Sequence, residues 1–311
     1  MGARRRDTFD RSLSSDATYT RADFRRDFPD NAACLDWLLH HRWPDGVTCA
    51  KCQRVTSHSR VKSRACYACN HCGTQVYPTA GTIYHKSTVN LVLWFEAVFL
   101  VAQTRCGISA KQIEREIGVT YKTAHRMMKL IRSQMGEGEG IMLGGDVEVD
   151  ETYFNRSRRN RPGEVRRPGR SPHSRTVVGA VERGGRVIAR HVPGQSGAHL
   201  TGHVRQFVMP DSTVFTDELQ TYVQNLPGMG YRHRKISHSA KVYVMGDVHT
   251  QTIEGFWSLL KRGIAGVYHA VSETYLQNYI DEYAWRYNHR SQAQGPMFLT
   301  LLERVVGAVA A

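Results

Sequence analysis

Three carboxylates in separate segments, Asp150, Asp217 and Glu254, are the residues best placed to do chemistry together. The first lies in Val147-Glu-Val-Asp-Glu-Thr-Tyr-Phe154, the second ends Ser212-Thr-Val-Phe-Thr-Asp217, and the third sits in Ile253-Glu-Gly-Phe-Trp-Ser-Leu-Leu-Lys-Arg262. Hard oxygen ligands of this kind hold paired divalent ions, Mg2+ with Mn2+ as a geometric substitute. Such ions activate water or a DNA 3′-hydroxyl and stabilise the leaving oxygen of a phosphodiester. Lys261 follows Glu254 by nearly two helical turns, so an acidic ligand and a phosphate-binding cation share one helix face. Glu148, Glu151 and Glu218 compete as ligands, because they neighbour the chosen positions.

A second constellation suits a different metal. Cys49-Ala-Lys-Cys52 and Cys69-Asn-His-Cys72 are two CxxC knuckles, and four soft thiolates favour one tetrahedral structural Zn2+. Cys66-Tyr-Ala-Cys69 is also a CxxC, and His71 is a further donor. Cys69 and Cys72 are preferred because they directly precede Gly73-Thr-Gln-Val-Tyr-Pro-Thr-Ala-Gly81. Five of the seven cysteines fall in this stretch, a spacing that fits metal binding in a reducing compartment better than disulfides. Val55, Thr56, Ser57 and Val61 predict a short hairpin between the knuckles, hence a zinc ribbon. Arg54, His58, Arg60, Lys62 and Arg64 make that loop basic.

The elements that must carry the carboxylates follow from periodicity. Alternation across 147–154 puts Val147, Val149, Glu151 and Tyr153 on one face of a strand and Glu148, Asp150 and Thr152 on the other. Strands over 176–182 and 186–191, turned at Gly184-Gly185, complete an antiparallel start. A helix over 199–209, a strand over 212–217, a short helix over 219–226, a strand over 231–236 and a helix from near Thr252 come next. In that last helix Ile253, Phe256, Trp257 and Leu260 bury one face. Three strands, then helix, strand, helix, strand and helix is the order of an RNase H-like, mixed-sheet α/β domain. Residues 156–175 hold eight arginines and one acidic residue, Glu164, a composition that suits a DNA-tracking loop through Arg158, Arg159, Arg166 and Arg167.

The remaining composition agrees with a polyanionic partner. Lys+Arg 42 against Asp+Glu 28 gives +14 over 311 residues. No stretch approaches about 18 uninterrupted apolar residues, so no membrane span is expected, and the cytoplasm, in association with the nucleoid, is the expected compartment. Residues 1–30 read as a flexible basic leader, 31–86 as the ribbon region and 87–135 as a helical segment. There a helix over 90–103 precedes two more separated by Gly118, with Ser109 and Gln112 at capping-box spacing. This helix-turn-helix pattern exposes Tyr121, Lys122, His125, Arg126 and Lys129 to a DNA groove. Gly136-Glu-Gly-Glu-Gly140 marks a linker over 136–143, ahead of a catalytic domain over 144–292 and a tail over 293–311.

Val147-Glu-Val-Asp-Glu-Thr-Tyr153, Val178-Gly-Ala-Val-Glu-Arg183, His249-Thr-Gln-Thr-Ile-Glu-Gly-Phe-Trp-Ser-Leu-Leu-Lys-Arg-Gly263 and Tyr283-Ala-Trp-Arg-Tyr-Asn-His-Arg290 together resemble the IS1595-family, ISXO2-like insertion-sequence transposases. The resemblance runs from about Asp30 to Glu303 and implies a zinc ribbon followed by a DDE-type catalytic domain. It implies Asp150, Asp217 and Glu254 as the acidic triad, Lys261 as the basic residue two turns on, and Cys69 with Cys72 as zinc ligands. Gln251 stands where many relatives have Asn. Arg262 and the arginine-rich loop are expected to neutralise DNA phosphates, and His238 and His249 lie near the catalytic residues in sequence. The implied activity is binding of double-stranded terminal inverted repeats, cleavage at the element ends and transfer of the 3′-hydroxyls to target DNA, by a homodimer or larger assembly. The alternatives are an RNase H-like nuclease that cuts without joining, and a non-catalytic, zinc-dependent DNA-binding regulator.

Overall fold

The computed structural model describes residues 19–138, 140–154, 175–217, 219–235 and 250–307. Arg158, Arg159, Arg166, Arg167, Glu218, His238 and His249 lie outside the described residues. The chain divides into two compact units, one of residues 1–134 with 291–311 and one of residues 135–290.

In the first unit, apolar side chains from both ends of the chain build one core. Helix α1 (Arg21–Asp27) starts at a reciprocal capping box between Thr20 and Asp23, and α2 (Asn31–Arg42) is capped by Asp30. Phe24 and Phe28, four residues apart, therefore project together and are each 1% exposed. They pack on Phe95 and Phe99 of α3 (Leu91–Gln103) and on Phe298 of the chain's final helix, with ring centroids 5.0–6.2 Å apart. Residues 19–30 were expected as a leader and 293–311 as a tail. Instead, α1 and the final helix, Gln294–Val306, are anchored by this aromatic cluster.

Between α2 and α3 lies a three-stranded antiparallel sheet of β1 (His58–Val61), β2 (Cys66–Cys69) and β3 (Gln75–Val76). Helix α4 (Ala110–Ile117) is capped by Ser109 and ends at Gly118 in the left-handed conformation. Thr120 then caps α5 (Tyr121–Ser133). Ile113, Ile117, Ala124, Met127, Met128 and Ile131 form the buried seam of this helix pair.

The second unit is a mixed α/β structure. Its sheet has the order β6-β5-β4-β7-β8, built from β4 (Asp146–Phe154), β5 (Arg175–Glu182), β6 (Val187–Val192), β7 (Thr213–Thr216) and β8 (Arg232–Lys235). β4, β5 and β6 are antiparallel, whereas β7 and β8 run parallel to β4. Both faces are covered, so alternate strand residues enter two different cores. Val147, Val149, Val178, Ala180 and Val214 meet α6 (Gly197–Phe207) and α7 (Gln220–Asn225). Val177, Val181 and Ala189 meet Ile253, Phe256 and Trp257 of α8 (Gln251–Gly263) and Ile280 and Tyr283 of α9 (Glu273–Asn288). The Gln294–Val306 helix completes the numbering as α10. Among the described residues no helix is long and apolar enough to cross a membrane.

The 136–143 stretch, expected as a linker, is built into this unit. The Glu137 carboxylate accepts from Arg186 at 3.1 Å and from the Asn288 amide at 2.8 Å, and Leu143 is 1% exposed in the α6 core. Asn288 also bonds the backbone N–H and C=O of Val187, at 2.8 and 3.0 Å, and so satisfies the start of edge strand β6.

Candidate active site and metal centre

The ribbon brings four thiols to one point. Ligand sulfurs of Cys49, Cys52, Cys69 and Cys72 all lie within 4.8 Å of one another, with Cys49–Cys72 at 3.5 Å and Cys52–Cys69 at 3.9 Å. A tetrahedral zinc with about 2.3 Å bonds separates its sulfurs by roughly 3.8 Å, so the cluster fits that ion. The two knuckles are local copies of each other. Gln53 N–H donates to Cys49 C=O and Gly73 N–H to Cys69 C=O, each at 2.8 Å, and the donor takes a positive φ in both, 54° and 75°. Gly73 adopts that conformation without the steric cost that Gln53 bears. Thr56 Oγ1 lies 3.2 Å from Cys69 Sγ, and this contact leads the causes that bring the Cys69 thiol down to about 5, favouring the thiolate a metal requires. Cys66 is fully buried but stands outside the cluster, as does exposed His71.

On the α8 face of the sheet, Asp150 and Asp217 are neighbours by register. Parallel strands β4 and β7 pair Val147 with Val214 and Glu148 with Phe215. Carried two residues on, that register sets Asp217, the first residue past the end of β7, beside Asp150 of β4, and the charge of Asp217 acts on the Asp150 carboxyl. The Asp150 carboxyl is pushed up to about 7, first by burial and then by the charges of Glu151 and Asp217. Trp257 Nε1–H donates to Asp150 Oδ2 at 3.0 Å, and the Leu219 amide donates to Asp217 Oδ1 at 2.9 Å.

Trp257 reaches the strand because Gly179 stands directly across β5 from Asp150. A Cβ there would lie 2.6 Å from the indole, so only glycine admits this approach of helix to sheet.

Glu148 fixes the start of α8. Its Oε2 accepts from the amides of Thr252 at 2.8 Å and Ile253 at 3.1 Å, while its Oε1 accepts from Thr252 Oγ1 and Arg183 Nε, both at 2.9 Å. Arg183 in turn lies over the Phe215 ring, 3.8 Å from its centroid. A fully buried carboxylate on the strand of Asp150 thus serves as the cap that α8 lacks from its own N-cap residue. Glu254 occupies the first turn of that helix, exposed, accepting from Thr250 Oγ1 at 3.0 Å, and Lys261 is exposed two turns on. Among the described residues no three carboxylates gather their oxygens to the closeness of the four thiols, so Glu254 does not close a three-ligand cage with the two aspartates.

The competing glutamates are separated by this geometry. Glu148 is engaged by the helix cap and Arg183. Glu151 faces the opposite side of the sheet, where it accepts from Tyr153 at 3.0 Å and Tyr222 at 3.3 Å. Sequence reading weighed Glu148 only as a ligand.

Removing this cap has a direct cost. Glu148→Ala leaves the buried side of Arg183 and two helix amides without their acceptor, and a loss of about 3 kcal/mol in urea unfolding is expected. Glu148→Gln keeps one acceptor oxygen and should lose less. A wild-type midpoint for the alanine variant would contradict the role.

Of the groove-reading candidates, Tyr121, Lys122, Arg126 and Lys129 are exposed on α5 and His125 is half-buried, its ring 6.0 Å from Tyr121. Arg262 is exposed on α8, donating to Ser258 C=O at 3.3 Å.

Comparison with known proteins follows the same division. Residues 29–75, which hold the four thiols, match the transposase zinc-ribbon domain, and residues 142–288, which hold all three candidate carboxylates, match the ISXO2-like transposase domain. The two matches define a zinc-ribbon protein of the transposase class. Within that class, the chain belongs to the IS1595 family.

A protein of the transposable element ISH50 of Halobacterium salinarum is 27% identical over 276 residues, covering 83% of this chain and 91% of that one. A transposase-like protein of Haemophilus influenzae is 29% identical over 98 residues, 32% of this chain and 77% of that one. A chain from the simian T-cell lymphotropic virus intasome in complex with PP2A regulatory subunit B56 gamma matches at a TM-score of 0.27 and 14% identity, over 59% of this chain and 66% of that one; so low a score bears on neither fold nor function.

Proposed function

We propose that the chain is a DNA transposase that cuts at the ends of its own element and joins the resulting 3′-hydroxyls to target DNA, through an RNase H-like catalytic domain. The single observation that carries this reading is the juxtaposition of Asp150 on β4 with Asp217 at the end of the parallel neighbour β7, with Trp257 of the helix that bears Glu254 and Lys261 bonded to Asp150. Membership of a transposase family and similarity to a protein of a transposable element support it.

Asp150, Asp217 and Glu254 are the residues that would hold Mg2+, or Mn2+ in its place. A carboxyl raised to about 7 by burial and by neighbouring negative charge is one that a bound cation would return to its ionised form. When bound, a pair of such ions supplies an activated oxygen nucleophile and stabilises the leaving oxygen. The chain's own residues do the rest. Trp257 orients Asp150, Glu148 holds the start of α8 and with it Glu254, and Lys261 neutralises a backbone phosphate.

The α4–α5 pair acts as a helix-turn-helix, with Tyr121, Lys122, His125, Arg126 and Lys129 reading the terminal repeats. Arg158, Arg159, Arg166, Arg167 and Arg262 contact phosphates, which makes binding strongly salt-dependent. Pairing two element ends requires a dimer or larger assembly on DNA, acting in the cytoplasm.

The test uses the zinc-loaded protein with Mg2+, pre-cleaved end DNA and a supercoiled target. Joined products are expected, and their loss on Asp217→Asn ties them to the site. Cleavage of intact ends without joining would replace the proposal by a nuclease, and binding without either reaction by a regulator.

A further inference from the structure

Within the first unit, the β1–β2 turn and the segment that leads into α3 face each other across a cleft of about 670 Å³. Arg60, Lys62, Arg64 and Lys86 line it, together with His85, and no Asp or Glu does. None of the four cations pairs with a carboxylate among the described residues. Gathering like charges in a concavity raises the local potential and destabilises the empty fold through self-repulsion, an arrangement that an anionic ligand relieves. Lys86 sits at φ 52°, a conformation costly for a residue with a side chain, directly on the cleft wall.

Tyr77 supplies a second kind of contact. It lines the same cleft, is 41% exposed, and its hydroxyl donates to Gln75 Oε1 at 2.7 Å, which fixes the ring beside the cations. Cations along a groove with an aromatic face among them match the requirements of a single nucleic-acid strand, phosphates on the charges and a base on the ring. Size points the same way. The volume falls in the small-ligand range of about 300–1,000 Å³, room for one or two nucleotides and not for the width of a duplex.

We propose that this cleft binds an unpaired segment of DNA, with Arg60, Lys62, Arg64 and Lys86 on its phosphates and a base stacked on Tyr77. The site rests on the DNA-acting function above, and is distinct from the groove-reading helix α5 and from the carboxylates. It assigns the ribbon a task beyond metal binding: capture of a frayed or cleaved end.

The experiment measures anisotropy of a fluorescent oligothymidine and, separately, of a labelled duplex, with the full-length zinc-loaded protein. Tyr77→Ala is expected to weaken oligothymidine binding by about 5- to 150-fold, the range for loss of one base–aromatic stack, and to spare the duplex. Lys62→Gln with Lys86→Gln should lower the slope of log affinity against log salt by about 1.4, at roughly 0.7 per cation on a single strand. All these side chains are exposed, and retention of zinc reports that the variants are folded.

Oligothymidine affinity unchanged in either variant overturns the proposal, as does an equal loss for duplex, which would mark a general phosphate surface. Displacement of oligothymidine by polyglutamate at equal charge concentration would overturn it in favour of an acidic protein segment. If the parent protein binds duplex but not oligothymidine, the cleft assignment alone fails. If it binds neither, the DNA-acting function fails with it.

Discussion

Asp150→Asn is expected to abolish metal-dependent strand cleavage and, in the same protein, to raise the melting temperature of the metal-free form at neutral pH. The first effect follows from removing a charged ligand that would hold Mg2+. Losing several kcal/mol of charge stabilisation corresponds to about 10³-fold or more in rate. The second follows from the sign of the Asp150 shift. Its carboxyl is held at about 7 in the fold against 3.8 for the ordinary group, so the folded state binds the proton more tightly. The stability this contributes is fully present below 3.8, erodes as pH rises, and is gone once the folded group ionises above about 7.

At pH 8 the wild-type fold therefore carries an unfavourable buried charge that asparagine lacks. The side chain is partly exposed, so solvent screening reduces the difference to about 1–3 kcal/mol, a shift of several degrees for a unit of this size. Added Mg2+ should raise the wild-type melting temperature and leave the variant unmoved. Wild-type cleavage by Asp150→Asn would remove Asp150 from the active site. Equal melting temperatures at pH 8 would show that the charge carries no cost in the fold.

What a reader of the sequence can locate divides along the range of the forces involved. Alternation over Val147-Glu-Val-Asp-Glu-Thr-Tyr-Phe154 is a local pattern, and it placed Asp150 and Glu148 together on the face opposite Val147 and Val149, where β4 has them. The strands around Gly184-Gly185 and the apolar face of α8 were legible for the same reason. The cap that Glu148 gives to Thr252 and Ile253 was not, because more than a hundred residues separate the partners and nothing local marks a helix capped from another strand.

The same limit explains the termini and the glycine-rich segment. Arg, Asp and Ser dominate the first thirty residues, yet two phenylalanines four apart suffice to anchor α1 once α3 and α10 supply facing rings. Glycines at 136, 138 and 140 correctly disfavour helix, but Glu137 is held by Arg186 and Asn288, contacts that no window around residue 137 contains. At the site itself, Asp150 was readable within a strand, Asp217 at a strand end and Glu254 on a late helix. The approach of Asp217 to Asp150 depends on the β4–β7 register, and the contact of Trp257 with Asp150 on the small size of Gly179, pairings that join segments far apart in the chain.

Loss of the zinc ion should unfold the ribbon. Its three strands are four, four and two residues long, and few apolar side chains lie among them: Cys66 and Tyr67 are buried, Val61 only partly, Val55 is 59% exposed. So short a sheet buries too little surface to offset the chain entropy of ordering it. The ion's apparent binding energy, about 10–16 kcal/mol in comparable sites, is then the main contribution to ribbon stability.

Cys69→Ser removes a ligand whose thiolate Thr56 favours, and is expected to abolish stoichiometric zinc binding and the ribbon's protection from amide exchange. Cys66→Ser is the informative control. Cys66 lies on the same strand and is equally buried, but its thiol is outside the cluster, so this variant should retain one zinc per chain while losing only packing. Zinc content measured by atomic absorption decides between them. One equivalent bound by Cys69→Ser and none by Cys66→Ser would reverse the ligand assignment, and with it the equivalence of the two knuckles that Gln53 and Gly73 close.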